Sequence, residues 1–217
     1  ELDADYPLAL SDWPSLEAQV AALADDIAYD NHDIDDGLRA GFLALEDLLT
    51  LDGVAEQWRA VERRYPAAPR ERQLRELVRG QIGLMVNDLI DETRGRIARA
   101  GIGSADEVRR AGLALAAFSP AVAGEERRLK RFLYDRLYYH PEQLATAARA
   151  RAVVADLSAA LVAAPAGLPA AWRADLPGEE PGRSRHIADF IAGMTDRYAI
   201  DTYRRLFGEA PEGLRNV

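Results

Sequence analysis

Ser15-Leu16-Glu17-Ala18-Gln19-Val20-Ala21-Ala22-Leu23-Ala24-Asp25-Asp26-Ile27-Ala28-Tyr29-Asp30-Asn31-His32-Asp33-Ile34-Asp35-Asp36 is the run whose reading decides the fold. At about 100° per residue, Leu16, Val20, Leu23, Ile27, Ile34 and Leu38 fall in a band of roughly 60°, the apolar stripe of a helix that packs on a core. Pro14 and Ser15 supply start signals, and Gly37 is the expected end. The opposite side carries Asp25, Tyr29, His32, Asp33 and Asp36. Positions four apart drift only about 40° per step, so Asp25, Tyr29 and Asp33 line one ridge.

The same three-to-four spacing continues outward, rich in Ala, Leu, Arg and Glu and poor in β-branched residues. The expected fold is all-α, with about eight helices. After the first come segments near Phe42–Leu49 and Val54–Arg64, then the longest, Arg70–Ala100, with Gly101 as its left-handed cap. Ser104 and Glu107 form a capping box for a short helix. Helices are expected from Pro120 to Tyr139, stopped by His140-Pro141, and from Pro141 to Leu161. Ala164–Arg183, with Pro165, Pro169, Pro177 and Pro181, reads as a loop in which Ala170–Ala174 can form a helical turn. Ser184–Ile200 and Asp201–Phe207 complete the pattern.

With 48% hydrophobic and 29% charged residues, the chain is ordinary for a globular protein, and its 217 residues can bury a sizeable core. A net charge of −9 disfavours a general nucleic-acid-binding role, although a local cationic site is still permitted. The absence of cysteine excludes disulfides and thiolate metal sites and fits a cytoplasmic protein. No run approaches the roughly 18 apolar residues of a membrane span. The acidic start at Glu1 does not read as a signal peptide, and its lack of methionine leads us to expect a piece of a longer protein.

Between Asp25 and Asp36 stand six aspartates and no Lys or Arg. Such a face is either solvated or the wall of a cleft in which a cation or a donor-rich ligand offsets the repulsion. His32-Asp33 invites reading as a metal-binding dipeptide, but neighbours on a helix point about 100° apart, so we do not assign it that role. Arg72, Arg75 and Arg79 share a face of the long helix and could clamp a triphosphate or simply pair with Glu71 and Glu76. Arg127, Arg128, Lys130, Arg131 and Arg136 read as a surface cluster balanced by Glu125, Glu126 and Asp135. Tyr134, Tyr138 and Tyr139 read as core packing first, and Phe190, Met194 and Tyr198 as a buried stripe. His140 reads as the end of a helix, where a partial positive charge helps.

The run Glu17–Asp36 resembles the segment carrying the last metal ligand of the bacterial dGTP triphosphohydrolases, which belong to the HD-domain superfamily. Met85–Thr93, Lys130–Tyr134 with Tyr139-His140-Pro141, and Ile187–Tyr198 are similar to the same family in the same order. The resemblance implies a multi-helix HD-type domain, incomplete on its N-terminal side. Residues 1–103 would be the C-terminal part of the hydrolase core and 104–217 the family's C-terminal helical domain. It implies cleavage of a dNTP into deoxynucleoside and triphosphate with a divalent metal ion such as Mg or Mn. Asp25 would be a metal ligand, Tyr29 would pack on the deoxyribose, and Asp33 would accept a hydrogen bond from the 3′-hydroxyl. It also implies a homo-oligomer, with effector nucleotides or single-stranded nucleic acid as further partners, and no membrane. The family's His and His-Asp ligands have no counterpart before Asp25, so the chain alone is expected to be inactive. Two other readings stay open: a non-catalytic helical interaction or oligomerisation module, and an HD phosphohydrolase acting on another nucleotide.

Overall fold

A computed structural model describes residues 5–6, 11–209, 211 and 213–214. Among the described residues the protein is all-α, with ten α-helices, one π turn and one 3-10 turn, and no strand. Helix α1 spans Leu16–Ala40, α2 Leu45–Leu48, α3 Asp52–Arg64, α4 Arg70–Ala100 and α5 Ala105–Arg110. Helix α6, Pro120–Leu133, runs into a π turn at Tyr134–Tyr138, and α7 follows at Pro141–Ala163. A 3-10 turn at Pro165–Gly167, α8 (Ala170–Ala174), α9 (Gly182–Ala192) and α10 (Asp196–Phe207) complete the chain.

The expected caps are present. The Ser15 hydroxyl accepts from the Ala18 N–H at 3.3 Å, Ser104 from Glu107, and Gly101 takes the left-handed conformation at φ 67°. The Glu107 carboxylate reaches the Gly103 N–H at 2.6 Å, one residue upstream of the position a capping box uses. Gly37 does not end α1. The helix runs one further turn to Gly41, which carries the left-handed φ of 76°, and Gly37 is buried where Leu43 folds back over it. A Cβ at residue 37 would stand 2.7 Å from Leu43 Cδ1, so glycine is there for close approach and not for termination. The expected continuous helix over 184–200 is broken at Gly193–Thr195, where the Thr195 hydroxyl caps α10 by accepting from the Tyr198 N–H. His140 caps the start of α7, its Nδ1 accepting from the Glu142 N–H at 3.3 Å. It thus stands just past the end of the preceding helical stretch, as expected, and also serves the start of the next helix.

The described chain forms two compact units, Glu1–Tyr138 and Tyr139–Val217. This division by packing is separate from the assignment of 1–103 and 104–217 to parts of a family architecture. In the first unit Ile34, Leu48, Trp58, Leu77, Leu129 and Leu133 form one cluster, so α1, α2, α3, α4 and α6 share a core. Each fully buried Leu there contributes about 1.5–3 kcal/mol. A smaller cluster of Ile27, Met85, Leu89 and Phe118 packs the middle of α1 on the middle of α4. Side chains from these two helices also hold the irregular 111–119 segment. Gln19 Oε1 accepts from Leu115 and Ala116 N–H at 2.9 and 3.2 Å, and Asp88 accepts from Ser119 N–H at 2.8 Å.

The second unit has its own core of Leu161, Leu168, Ile187 and Phe190. Trp172 lies between His186 and Phe190, its ring 4.8 and 5.2 Å from theirs, and His186 Nε2 is 2.8 Å from the Trp172 carbonyl. Of the expected Phe190–Met194–Tyr198 stripe, Phe190 is buried and Met194 packs on the core. Tyr198 is exposed and meets Phe190 edge-on.

Candidate functional site

The two halves of the α1 apolar stripe differ. Ile27 and Ile34 are buried, whereas Leu16, Val20 and Ala24 form one wall of an open groove whose other wall is Val86, Ile90 and Ile97 of α4. On the other side of α1 the acidic ridge runs from a solvent-exposed Asp25, through Tyr29 at 60% exposure, to a half-buried Asp33. His32 and Asp36 are exposed.

Asp33 is not alone. The Tyr138 hydroxyl donates to its carboxylate across more than a hundred residues of sequence, and the Tyr138 ring is braced edge-on by Tyr134 at 5.0 Å. Burial and the bond to Asp33 both raise the Tyr138 pKa, so the phenol stays a donor. This contact depends on the π turn, a conformation frequent at functional sites, which sets the direction of Tyr138 at the end of α6. Sequence reading placed the tyrosines in the core and missed the pairing, because a π turn breaks the 3.6-residue period on which that reading relies.

Deeper in α1 lie two polar side chains that were not singled out. Asp30 is 3% exposed and Asn31 fully buried, and Asp30 Oδ2 and Asn31 Oδ1 have no hydrogen-bond partner among the described residues. The Asn31 amide donates to the Ile27 carbonyl at 2.8 Å and lies 3.5 Å from Met85 sulfur. Spacing held the signal: Asp30 and Asn31 stand three and four residues after Ile27, on the buried side.

Burial lifts the Asp30 carboxyl from an ordinary 3.8 to about 7. The Lys130 ammonium opposes that rise, and Glu126, Asp26 and Asp33 add to it. Lys130 bridges α6 and α1, 2.5 Å from Glu126 and 2.9 Å from Asp26. Burial alone would lower its pKa, but these two carboxylates more than offset that and raise it. Within the expected surface cluster, Lys130 is thus an internal brace, and Arg128 pairs with Glu125 at 2.5 Å.

Arg72, Arg75 and Arg79 are exposed and line a shallow concavity with Pro69, Glu71 and Glu76. Arg75 bonds Glu71 at 2.5 Å, and Arg79 lies 3.8 Å from Glu76. This end of α4 shares its core with the Ile34 end of α1. Among the described residues no group of three or more His, Asp or Glu side chains could hold a metal ion. The side chains described do not form a complete metal centre, and Asp25 offers a single exposed carboxylate.

Residues 116–205, from the end of the 111–119 segment into α10, match a family model described as a phosphohydrolase-associated domain. Over 211 residues the chain is 46% identical to a deoxyguanosinetriphosphate triphosphohydrolase-like protein of Nitrobacter hamburgensis, covering 95% of this chain and 52% of that one. Proteins of the same name from Caulobacter vibrioides and Brucella suis are each 44% identical, covering 94% and 98% of this chain and 52% and 53% of theirs. The chain belongs to the deoxyguanosinetriphosphate triphosphohydrolase-like family, and it spans about half the length of the curated relatives it matches.

Proposed function

We propose that this chain is the C-terminal part of a metal-dependent dNTP triphosphohydrolase that converts dGTP and water to deoxyguanosine and triphosphate. The observation that carries the reading is the Asp25–Tyr29–Asp33 ridge on one helix face, in a chain 43–46% identical to proteins named for that reaction. In this reading Asp25 contributes one carboxylate to a divalent metal. The remaining ligands would be the family's His and His-Asp pair, which have no counterpart before Asp25 in this chain. A bound divalent metal would supply Lewis-acid chemistry at the phosphoryl group.

The chain's own residues then bind and orient substrate. The flat face of Tyr29, exposed as a platform, packs on the deoxyribose. Asp33, held by the Tyr138 hydroxyl, accepts a hydrogen bond from the 3′-hydroxyl, and a carboxylate fixed by a donor loses little freedom on doing so. Arg72, Arg75 and Arg79 supply fixed positive charge for the triphosphate, provided their pairing with Glu71 and Glu76 is exchanged for it.

A dNTP panel with metal analysis tests this on two proteins: this chain, and a longer one that carries the upstream His and His-Asp motif. Triphosphate release from the longer protein alone is expected. Enzyme-like turnover of dGTP by this chain would refute the division of the site, and no turnover by either would refute the activity. Replacing Arg72, Arg75 and Arg79 singly with Gln in the longer protein checks the clamp, which fails if KM and kcat for dGTP are unchanged in all three.

A further inference from the structure

Between the start of α3, the middle of α4 and the start of α6 lies a concavity of about 450 Å³, within the size range of small-molecule sites. Neither Asp25, Tyr29 nor Asp33 lines it. Its apolar wall is Val54, Leu84, Met85, Val122 and Leu129, with Leu84 exposed. Two primary amides, Gln57 and Gln81, also face it.

Gln81 is the informative one. It is 8% exposed, yet its amide makes no hydrogen bond with any described residue. Gln73, equally buried on the same helix, donates to the Tyr65 carbonyl at 2.9 Å. The concavity leaves the polar atoms of Gln81 within reach of solvent, so its amide is open to a ligand that enters.

The charge at the rim narrows the ligand. Glu125 is held by Arg128 at 2.5 Å and lies against Gly53, and Glu126 is held by Lys130 at 2.5 Å. Asp52 and Glu56 have no ion pair among the described residues and are exposed at the mouth. Free carboxylates there repel phosphates and favour a cation. We infer that this concavity binds a small organic amine: a protonated amino group facing Asp52 and Glu56, a donor to Gln81, and a compact apolar body against Leu84, Met85 and Leu129.

The 217-residue chain can be titrated by NMR or calorimetry with phenethylamine, 2-phenylethanol and 3-phenylpropionate, which share a ring and differ in charge. Phenethylamine is expected to bind about tenfold more tightly than the anion, corresponding to one ordinary charge-assisted contact. Asp52→Asn with Glu56→Gln, both at exposed positions, should weaken the amine several-fold and leave the alcohol unchanged. Gln81→Leu should weaken the amine, and Leu84→Trp should block all three by filling the mouth. Equal affinity for amine and anion, no binding of any probe, or amine binding indifferent to Leu84→Trp would each overturn the assignment. No turnover is involved, so the result does not depend on the proposed hydrolase activity.

Discussion

A carboxylic acid that is 3% exposed and has its pKa pushed up to about 7 ties stability to pH. The Asp30 proton is held in the folded chain and lost from the unfolded one between about pH 4 and pH 7. The folded state binds more protons in that window, so stability falls as pH rises through it and levels off above about 7. The contribution is at most about 4 kcal/mol. Asp30→Asn keeps the shape and removes the ionisation, and urea midpoints across this window should lose the slope. If the slopes of variant and parent coincide, Asp30 is not the source. Because Lys130 opposes the rise, Lys130→Met should move the window to higher pH. Tyr138→Phe, at the same scale, releases Asp33 and should raise KM for dGTP in the complete enzyme by up to roughly tenfold. An unchanged KM would separate this bond from substrate binding.

At the scale of the element, glycine in α1 decides more than its propensity. Gly37→Ala places a methyl against Leu43, which is itself 5% exposed and packed, and should cost about 1–3 kcal/mol by thermal melting. Adding Leu43→Val should recover part of the loss. No recovery would show that the strain lies elsewhere. The same glycine shows where sequence reading succeeds and where it stops. Ser15, Gly101, Ser104 and the bounds of α4 were legible because caps and periodicity are local physics. Gly37 was not, because a close-approach glycine and a capping glycine look alike until the partner, Leu43, is placed. For the candidate site, the alignment of Asp25, Tyr29 and Asp33 followed from spacing alone. The Tyr138 partner and the Lys130 brace come from helix pairings more than a hundred residues apart in sequence, which periodicity does not encode.

At the scale of the molecule, the two units carry separate reporters. Trp58 sits in the first core, 3% exposed, with Arg70 stacked over its ring at 4.2 Å, and Trp172 packs on the second core. Phe190→Ala should cost the second unit about 3–5 kcal/mol. Quenching of each tryptophan should then show Trp172 exposed at denaturant concentrations where Trp58 is still buried. Simultaneous exposure of both would mean that the units unfold as one. The boundary also bears on how the protein is divided for experiment. Tyr138 is the last residue of the first unit, and its side chain holds Asp33. A fragment cut where compactness suggests would end in a new carboxylate one side-chain length from Asp33, adding negative charge beside an already acidic face. An excised first unit keeps its native ionisation only if several residues past Tyr138 are retained.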